Sequence, residues 1–123
     1  MHIIDLGPER AAPITEYGSR LARGQRLADG AGEAHVYVVH FEAGGEVGMH
    51  PAGFGQMFLV VAGTGWVAGA DGVRRRVCTG QGAIISRGER HAKGSDTGCT
   101  AIMIQLAELA PTPPMKGVSW PDE

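Results

Sequence analysis

Residues 44–63 read GGEVGMHPAGFGQMFLVVAG. A glycine turn at Ala43-Gly44-Gly45 leads to His50, and a second turn at Gly63-Thr64-Gly65 closes the stretch. Between them lies Met57-Phe58-Leu59-Val60-Val61, an unbroken apolar run too short for a core helix and rich in strand-forming types. Side chains alternate along a strand, so Gln56, Phe58 and Val60 share one face and Met57, Leu59 and Val61 the other. A sheet wetted on one side would show a polar residue at every second place; here both faces call for burial. One face fills the inside of a barrel. The other needs an N-terminal strand or a second copy of the chain, which makes a homodimer the expected assembly.

Further runs of the same kind lie on both sides: Ala34–Phe41, Trp66–Ala68, Val73–Val77, Ala83–Ser86 and Thr100–Leu106. Glycine turns separate them at Asp71-Gly72, Gly80-Gln81-Gly82 and Gly94-Ser95-Asp96. The twenty glycines far exceed the usual ~7% and fit many tight turns. Short strands at regular spacing imply an all-β sandwich or barrel. Asp71-Gly72 suits a hairpin turn whose central positions want positive φ. Toward the N-terminus, His2–Leu6 and Ile14–Leu21 read as covering strands and Arg23–Glu33 as a polar loop. The tail, 110–123, holds four of the seven prolines and is expected to be irregular, with Trp120 as a possible docking point. The chain is expected to form one domain over 1–123, with a core barrel at about 34–106, N-terminal strands and loop over 1–33, and a proline-rich tail over 110–123.

A chain of 123 residues suits one core. The net charge is −2 and the basic residues are scattered, which leaves no electrostatic footprint for nucleic acid. The one basic run, Arg74-Arg75-Arg76, alternates faces on a strand and reads as a solvated edge. No apolar stretch approaches the ~20 residues that span a bilayer, so no membrane partner is expected. Cys78 and Cys99 sit in apolar strand contexts and form neither a metal nor a redox pair. With no signal-peptide pattern at Met1-His2-Ile3-Ile4-Asp5, a reducing cytoplasm is the expected home.

Among the five histidines, His35 and His40 are five apart on one strand and face opposite ways. His50 and His91 each follow a glycine turn and open a strand, where a rigid sheet can present a functional side chain. Gly44, His50, Ala52, Gln56 and Gly63 match the spacing of the first cupin motif, with Ala52 at its second histidine and Gln56 at its glutamate. Gly80, Ser86, Gly88, His91 and Ser95, in the stretch GQGAIISRGERHAKGS, are similar to the second cupin motif, with Ser86 at its proline and Ser95 at its asparagine. Together with their link, these motifs cover about half of the chain. The sequence therefore resembles a small single-domain cupin, an all-β double-stranded β-helix or jelly-roll barrel, with degenerate metal motifs.

What that resemblance implies is a divalent metal, Zn, Fe, Ni, Mn or Cu, held by His50, Gln56 and His91. Two imidazoles suit such ions, while a glutamine carbonyl is a neutral and weaker donor than a carboxylate. Phe54, Phe58, Val60, Tyr37 and Met103 are the expected pocket-lining residues, the cavity being small, mainly apolar and shaped for a small-molecule ligand. Three functions compete. The first is a metal-dependent enzyme of dioxygenase, isomerase or lyase type acting on an oxygen-rich or anionic metabolite. The second is a metal-free sensor or carrier, in which His50 and His91 hydrogen-bond to Gln56. The third is metal-free acid–base catalysis by the histidines, which their placement on one side of the pocket disfavours.

Overall fold

The computed structural model describes residues 1–112. Ten strands follow one another: β1 (His2–Asp5), β2 (Ala12–Pro13), β3 (Arg23–Gly24), β4 (Ala28–Phe41), β5 (Glu46–Pro51), β6 (Gly55–Ala68), β7 (Arg74–Cys78), β8 (Gln81–Ile85), β9 (Arg90–Gly94) and β10 (Cys99–Pro111). Every pairing is antiparallel. One layer runs in the order β1-β8-β6-β10-β4; the other joins β5 to β9, and β9 and β7 to the second half of β6. The short pair β2–β3 stands apart.

Strand β6 belongs to both layers, and its sequence explains how. Its first half, with the apolar run 57–61, pairs with β8 and β10; its second half, Thr64–Ala68, pairs with β7, and Trp66–Ala68 with β9 as well. The crossing falls at Gly63, whose φ of +77° places it in the left-handed region. A Cβ there would stand 2.4 Å from the Gly98 carbonyl oxygen, so only glycine lets the strands pass this closely. The expected turn at Gly63-Thr64-Gly65 is therefore a bend within one strand, with a register shift beside it at Thr100/Ala101 of β10.

The core forms where alternation puts apolar side chains inward. Phe58 and Val60 of β6 are fully buried with Phe41, Val67, Val77, Ala83, Cys99 and Ala101, and the Phe58 and Phe41 rings meet edge to face at 6.2 Å. On the opposite face of β6, Met57 is covered and Val61 is exposed. Between β6 and β7 the expected two-residue turn at Asp71-Gly72 is instead a longer loop over 69–73: the Gly72 N–H donates to the Gly69 carbonyl oxygen at 2.9 Å, and of the two expected positions only Gly72, at φ +72°, has a positive φ.

Other expectations are corrected. Residues 14–21 are not a strand: Glu16–Gly18 form a short 3-10 turn, with Tyr17 at φ 60° and Leu21 at φ 54°. Residues 28–33, expected as loop, extend β4, because Ala28–Ala31 pair with Glu108–Pro111 of β10 beyond a bulge at Leu106/Glu108. Ala110 and Pro111 thus belong to a strand rather than to an irregular tail. Ladder hydrogen bonds from a distant segment override a glycine-rich, polar composition here. Trp120 lies outside the described residues.

Candidate functional site

Strands β5 and β9 bring the two motif histidines together. His50 and His91 are register partners across that pair, and their rings stand 4.6 Å apart, tilted by 53°. The turn before β9 is built by Gly88, at φ +83°, whose N–H donates to the Ala52 carbonyl while the Ala52 N–H donates to that of Glu89. These two bonds lock the His91 turn onto the segment after His50. Glu89 closes the structure by accepting from the Ser86 N–H at 3.0 Å and from the α-amino group of Met1 at 2.7 Å. Partial burial alone would raise its pKa, but those hydrogen bonds and the amino charge outweigh it and hold the carboxyl below the ordinary value.

The centre of the site is a residue that the motifs do not name. Lys93, two places after His91 on β9, points to the same inner face. It is 2% exposed, and its Nζ donates to Gln56 Oε1 at 3.0 Å and to His91 Nε2 at 3.0 Å. Gln56 is 2% exposed and His91 0%. Lys93 reaches from one layer to the other, since Gln56 lies in the half of β6 paired with β8 and β10.

The tautomers follow from the acceptors. His91 Nδ1 stands 3.2 Å from the Glu89 carbonyl oxygen and His50 Nδ1 2.7 Å from that of Gly48. A carbonyl only accepts, so each Nδ1 carries the proton and each Nε2 presents a lone pair when neutral. Burial is the largest influence on His91, the Lys93 charge the next, and together they push its pKa from 6.5 to about 4. Burial likewise pushes Lys93 from 10.5 down to about 8. No carboxylate of the described residues is ion-paired with Lys93. The site is thus a buried cation held by neutral acceptors.

This donor set does not fit a divalent metal. The atoms of His91 and Gln56 that would bind one, Nε2 and Oε1, both accept hydrogen bonds from Lys93. A metal at that position would displace a buried ammonium from both of its partners or sit beside a like charge, and each alternative is costly. Ala52 adds no donor, and among the described residues no three His, Cys, Asp or Glu side chains gather as a metal cluster. Gln56 faces Lys93 by its oxygen, so the expected hydrogen bond from the imidazoles to Gln56 is replaced by a bridge through Lys93.

The other expected pocket residues fall at different depths. Phe58 and Val60 are in the packed core. Phe54 is half-buried, edge-on to His35 at 5.5 Å, and Tyr37 stacks with His35 at 6.2 Å while remaining 45% exposed. Met103 is half-buried on β10 opposite Phe58. Arg74 lies over the Trp66 ring at 3.9 Å, with Glu46 and Asp96 as ionic partners.

Lys93 was detectable in principle. The chain has nine arginines and two lysines, Lys93 and Lys116. A lysine at His-x-Lys spacing on one short strand has its amine on the histidine's own face.

No family model matches the chain. No curated protein matches it either. Solved structures do. A cupin-like protein from Thermotoga maritima is 25% identical, with a TM-score of 0.57 over 60% of this chain and 57% of that one. A cupin superfamily protein from Desulfitobacterium hafniense is 14% identical, with a TM-score of 0.57 over 88% of this chain and 100% of that one. A conserved protein of unknown function from Streptococcus pyogenes is 20% identical, with a TM-score of 0.56 over 62% of this chain and 66% of that one. This chain thus spans less than two thirds of the Thermotoga and Streptococcus proteins. The chain has the double-stranded β-helix fold of the cupin superfamily.

Proposed function

We propose that this cupin is a metal-independent small-molecule-binding protein that holds a small oxygen-rich anion on Lys93, with His50, Gln56 and His91 orienting it. One observation carries the reading: a buried lysine with only neutral partners, Gln56 Oε1 and His91 Nε2, each at 3.0 Å. An ammonium has three N–H donors, and these partners take two. The third donor and the uncompensated charge suit a carboxylate or a comparable anion. His50, half-buried and tilted against His91, forms the rim through which a ligand would approach. Sensing or carriage fits this arrangement better than metal-dependent dioxygenase, isomerase or lyase chemistry, because the would-be ligand atoms are already engaged.

Isothermal titration of small carboxylates, oxalate first, tests the reading. Binding that survives EDTA and is lost in Lys93→Met supports it. Near-stoichiometric Zn, Fe, Ni, Mn or Cu in the purified protein, absent from a His50→Ala, His91→Ala variant, would overturn it in favour of the metal enzyme.

The proposed assembly is a homodimer through the outer face of the first layer. Val36 and Val38 of edge strand β4 are 68% and 59% exposed, and their register partners Ile104 and Ile102 on β10 are half-buried. A continuous apolar surface of this kind favours self-association. Light scattering after gel filtration, with Val36→Lys, Val38→Lys as the disrupting variant, reads the state directly. The two thiols, free of each other, are compatible with the proposed reducing cytoplasm; no helix of the described residues is long and apolar enough to cross a membrane.

A further inference from the structure

We infer that the groove on the outer face of the second layer, beside edge strand β7, is a ligand site separate from the Lys93 pocket, and that it takes the phosphate group of a small phosphorylated molecule. The topology separates the two sites. Val67 of β6 and Lys93 of β9 are register partners and face the interior, so their neighbours Trp66 and Gly94 face out. On the other side of β6, Arg76 is the register partner of Trp66 and shares that outer face, as does Arg74 two places earlier. Between these side chains and the turn after β9 lies an open cavity of 390 Å³. That volume falls within the range of small-molecule clefts, roughly 300–1,000 Å³.

The walls are fixed by contacts within the chain. The Arg74 guanidinium lies 3.9 Å from the centre of the Trp66 ring and is tethered by Glu46 at 3.2 Å and Asp96 at 3.5 Å. Trp66 is buried beneath it. At the other end Ser95 is fully buried; its hydroxyl donates to the Thr64 carbonyl oxygen and accepts from the Gly98 N–H at 2.8 Å. Those two bonds pin the 95–98 turn to β6, and Thr64 and Thr97 line the same cavity.

Charge names the ligand. Arg74 is answered by two carboxylates, but Arg75 and Arg76 pair with none among the described residues. Three of the nine arginines of a chain with net charge −2 thus line one groove, against Asp96 as its lining acid. A guanidinium presents a rigid fork of N–H donors that matches phosphate oxygens, and a threonine hydroxyl can donate to a further oxygen. A phosphate monoester carries close to two negative charges at neutral pH, as many as the two unpaired arginines answer. Arginines kept only to guard a sheet edge from pairing would need no walled cavity lined by hydroxyl side chains.

Isothermal titration of the full chain with glycerol 3-phosphate at low ionic strength tests the inference, with glycerol as the uncharged control. The expected result is saturable binding with a dissociation constant below about 1 mM, no binding of glycerol, and a loss of at least about tenfold in Arg76→Gln. Arg20→Gln removes the same charge from an exposed position elsewhere and should change the affinity by less than about twofold. In the unaltered chain, amide chemical-shift changes on adding glycerol 3-phosphate should fall on residues 64–66, 74–76 and 95–98, which locates the site without any variant. Lack of saturable binding, equal weakening by Arg20→Gln, or shifts confined to other residues would each overturn the inference. So would an oligonucleotide or a phosphatidic-acid vesicle that binds through Arg76 while glycerol 3-phosphate does not.

Discussion

The Nζ of Lys93 stands 3.0 Å from Oε1 of Gln56, joining β9 in one layer to β6 in the other across the interior of the barrel. Both side chains are buried, so neither has water as an alternative partner. Gln56→Leu removes the carbonyl and leaves the cation with His91 alone. The expected cost is about 2–3 kcal/mol, measured by urea unfolding, because hydrogen bonds to charged groups are stronger than neutral ones and an orphaned buried charge is penalised.

Anion binding should follow the charge on Lys93. Lys93→Met is expected to weaken the affinity for oxalate by roughly 10- to 100-fold, the worth of one charge-assisted hydrogen bond. In the unaltered chain, affinity should be steady below pH 8 and fall as the pH rises through about 8, where the buried ammonium gives up its proton. Titration calorimetry across that range reads both effects. Affinity that stays constant to pH 9.5 would count against Lys93 as the anion-binding group.

His91 should set the acid limit of stability. Its pKa in the folded chain, about 4, lies below the ordinary 6.5 of the unfolded chain. Between these values the unfolded chain takes up the proton and the folded chain does not. Stability is therefore full above pH 6.5 and declines as the pH falls toward 4, by an amount on the order of 1–3 kcal/mol. Thermal melts from pH 7 to pH 4 should show this decline, and a His91→Gln variant should lack that share of it. Lys93, Glu89 and His50 face the ring, and among them only Glu89 favours its charged form.

Removing the internal cation should open the position to a metal. A Gln56→Glu, Lys93→Met double variant supplies two imidazoles and a carboxylate with no ammonium between them, a set that suits non-haem iron and neighbouring ions. Equilibrium dialysis with Zn, Ni or Fe(II) should show near-stoichiometric uptake by the variant, and at least about tenfold weaker uptake by the unaltered chain. Equal uptake by both would mean that Lys93 does not compete with the metal.

Gly63→Ala should damage the fold at the point where β6 passes between layers. The residue has φ +77°, and the added methyl would meet the Gly98 carbonyl oxygen. A loss of about 2 kcal/mol or more is expected from strain and contact together, read by thermal or urea unfolding. Gly72→Ala offers a comparison: it has a similar φ of +72° but nothing within 4 Å, so its cost should be smaller.

Much of the site was legible because strand alternation is a local rule. Gln56, Phe58 and Val60 point inward, as their spacing requires, and His50 and His91 meet as register partners of an antiparallel pair, His91 near the start of β9 as expected but His50 near the end of β5 rather than at the opening of a strand. The extent of β4 and β10 was not legible. Residues 28–33 read as loop and 110–111 as tail by composition, yet Ala28–Ala31 and Glu108–Pro111 supply each other's ladder hydrogen bonds. That mutual support joins segments some eighty residues apart and leaves no mark in either alone.

By itself the sequence determined the all-β fold and which faces of the core strands are apolar. These depend on residue type and on a period of two, both of which are local. Only the tertiary structure decided what occupies the centre of the site. Lys93 reads in sequence as one more charged residue on a short strand, and a solvated lysine is the ordinary expectation. Its burial is possible because β6, crossing from one layer to the other at Gly63, sets Gln56 opposite β9, so that the amine finds an amide oxygen and an imidazole nitrogen at 3.0 Å each in place of water. A buried charge persists only where its hydrogen bonds are met, and that condition is set by the meeting of two layers rather than by any one segment.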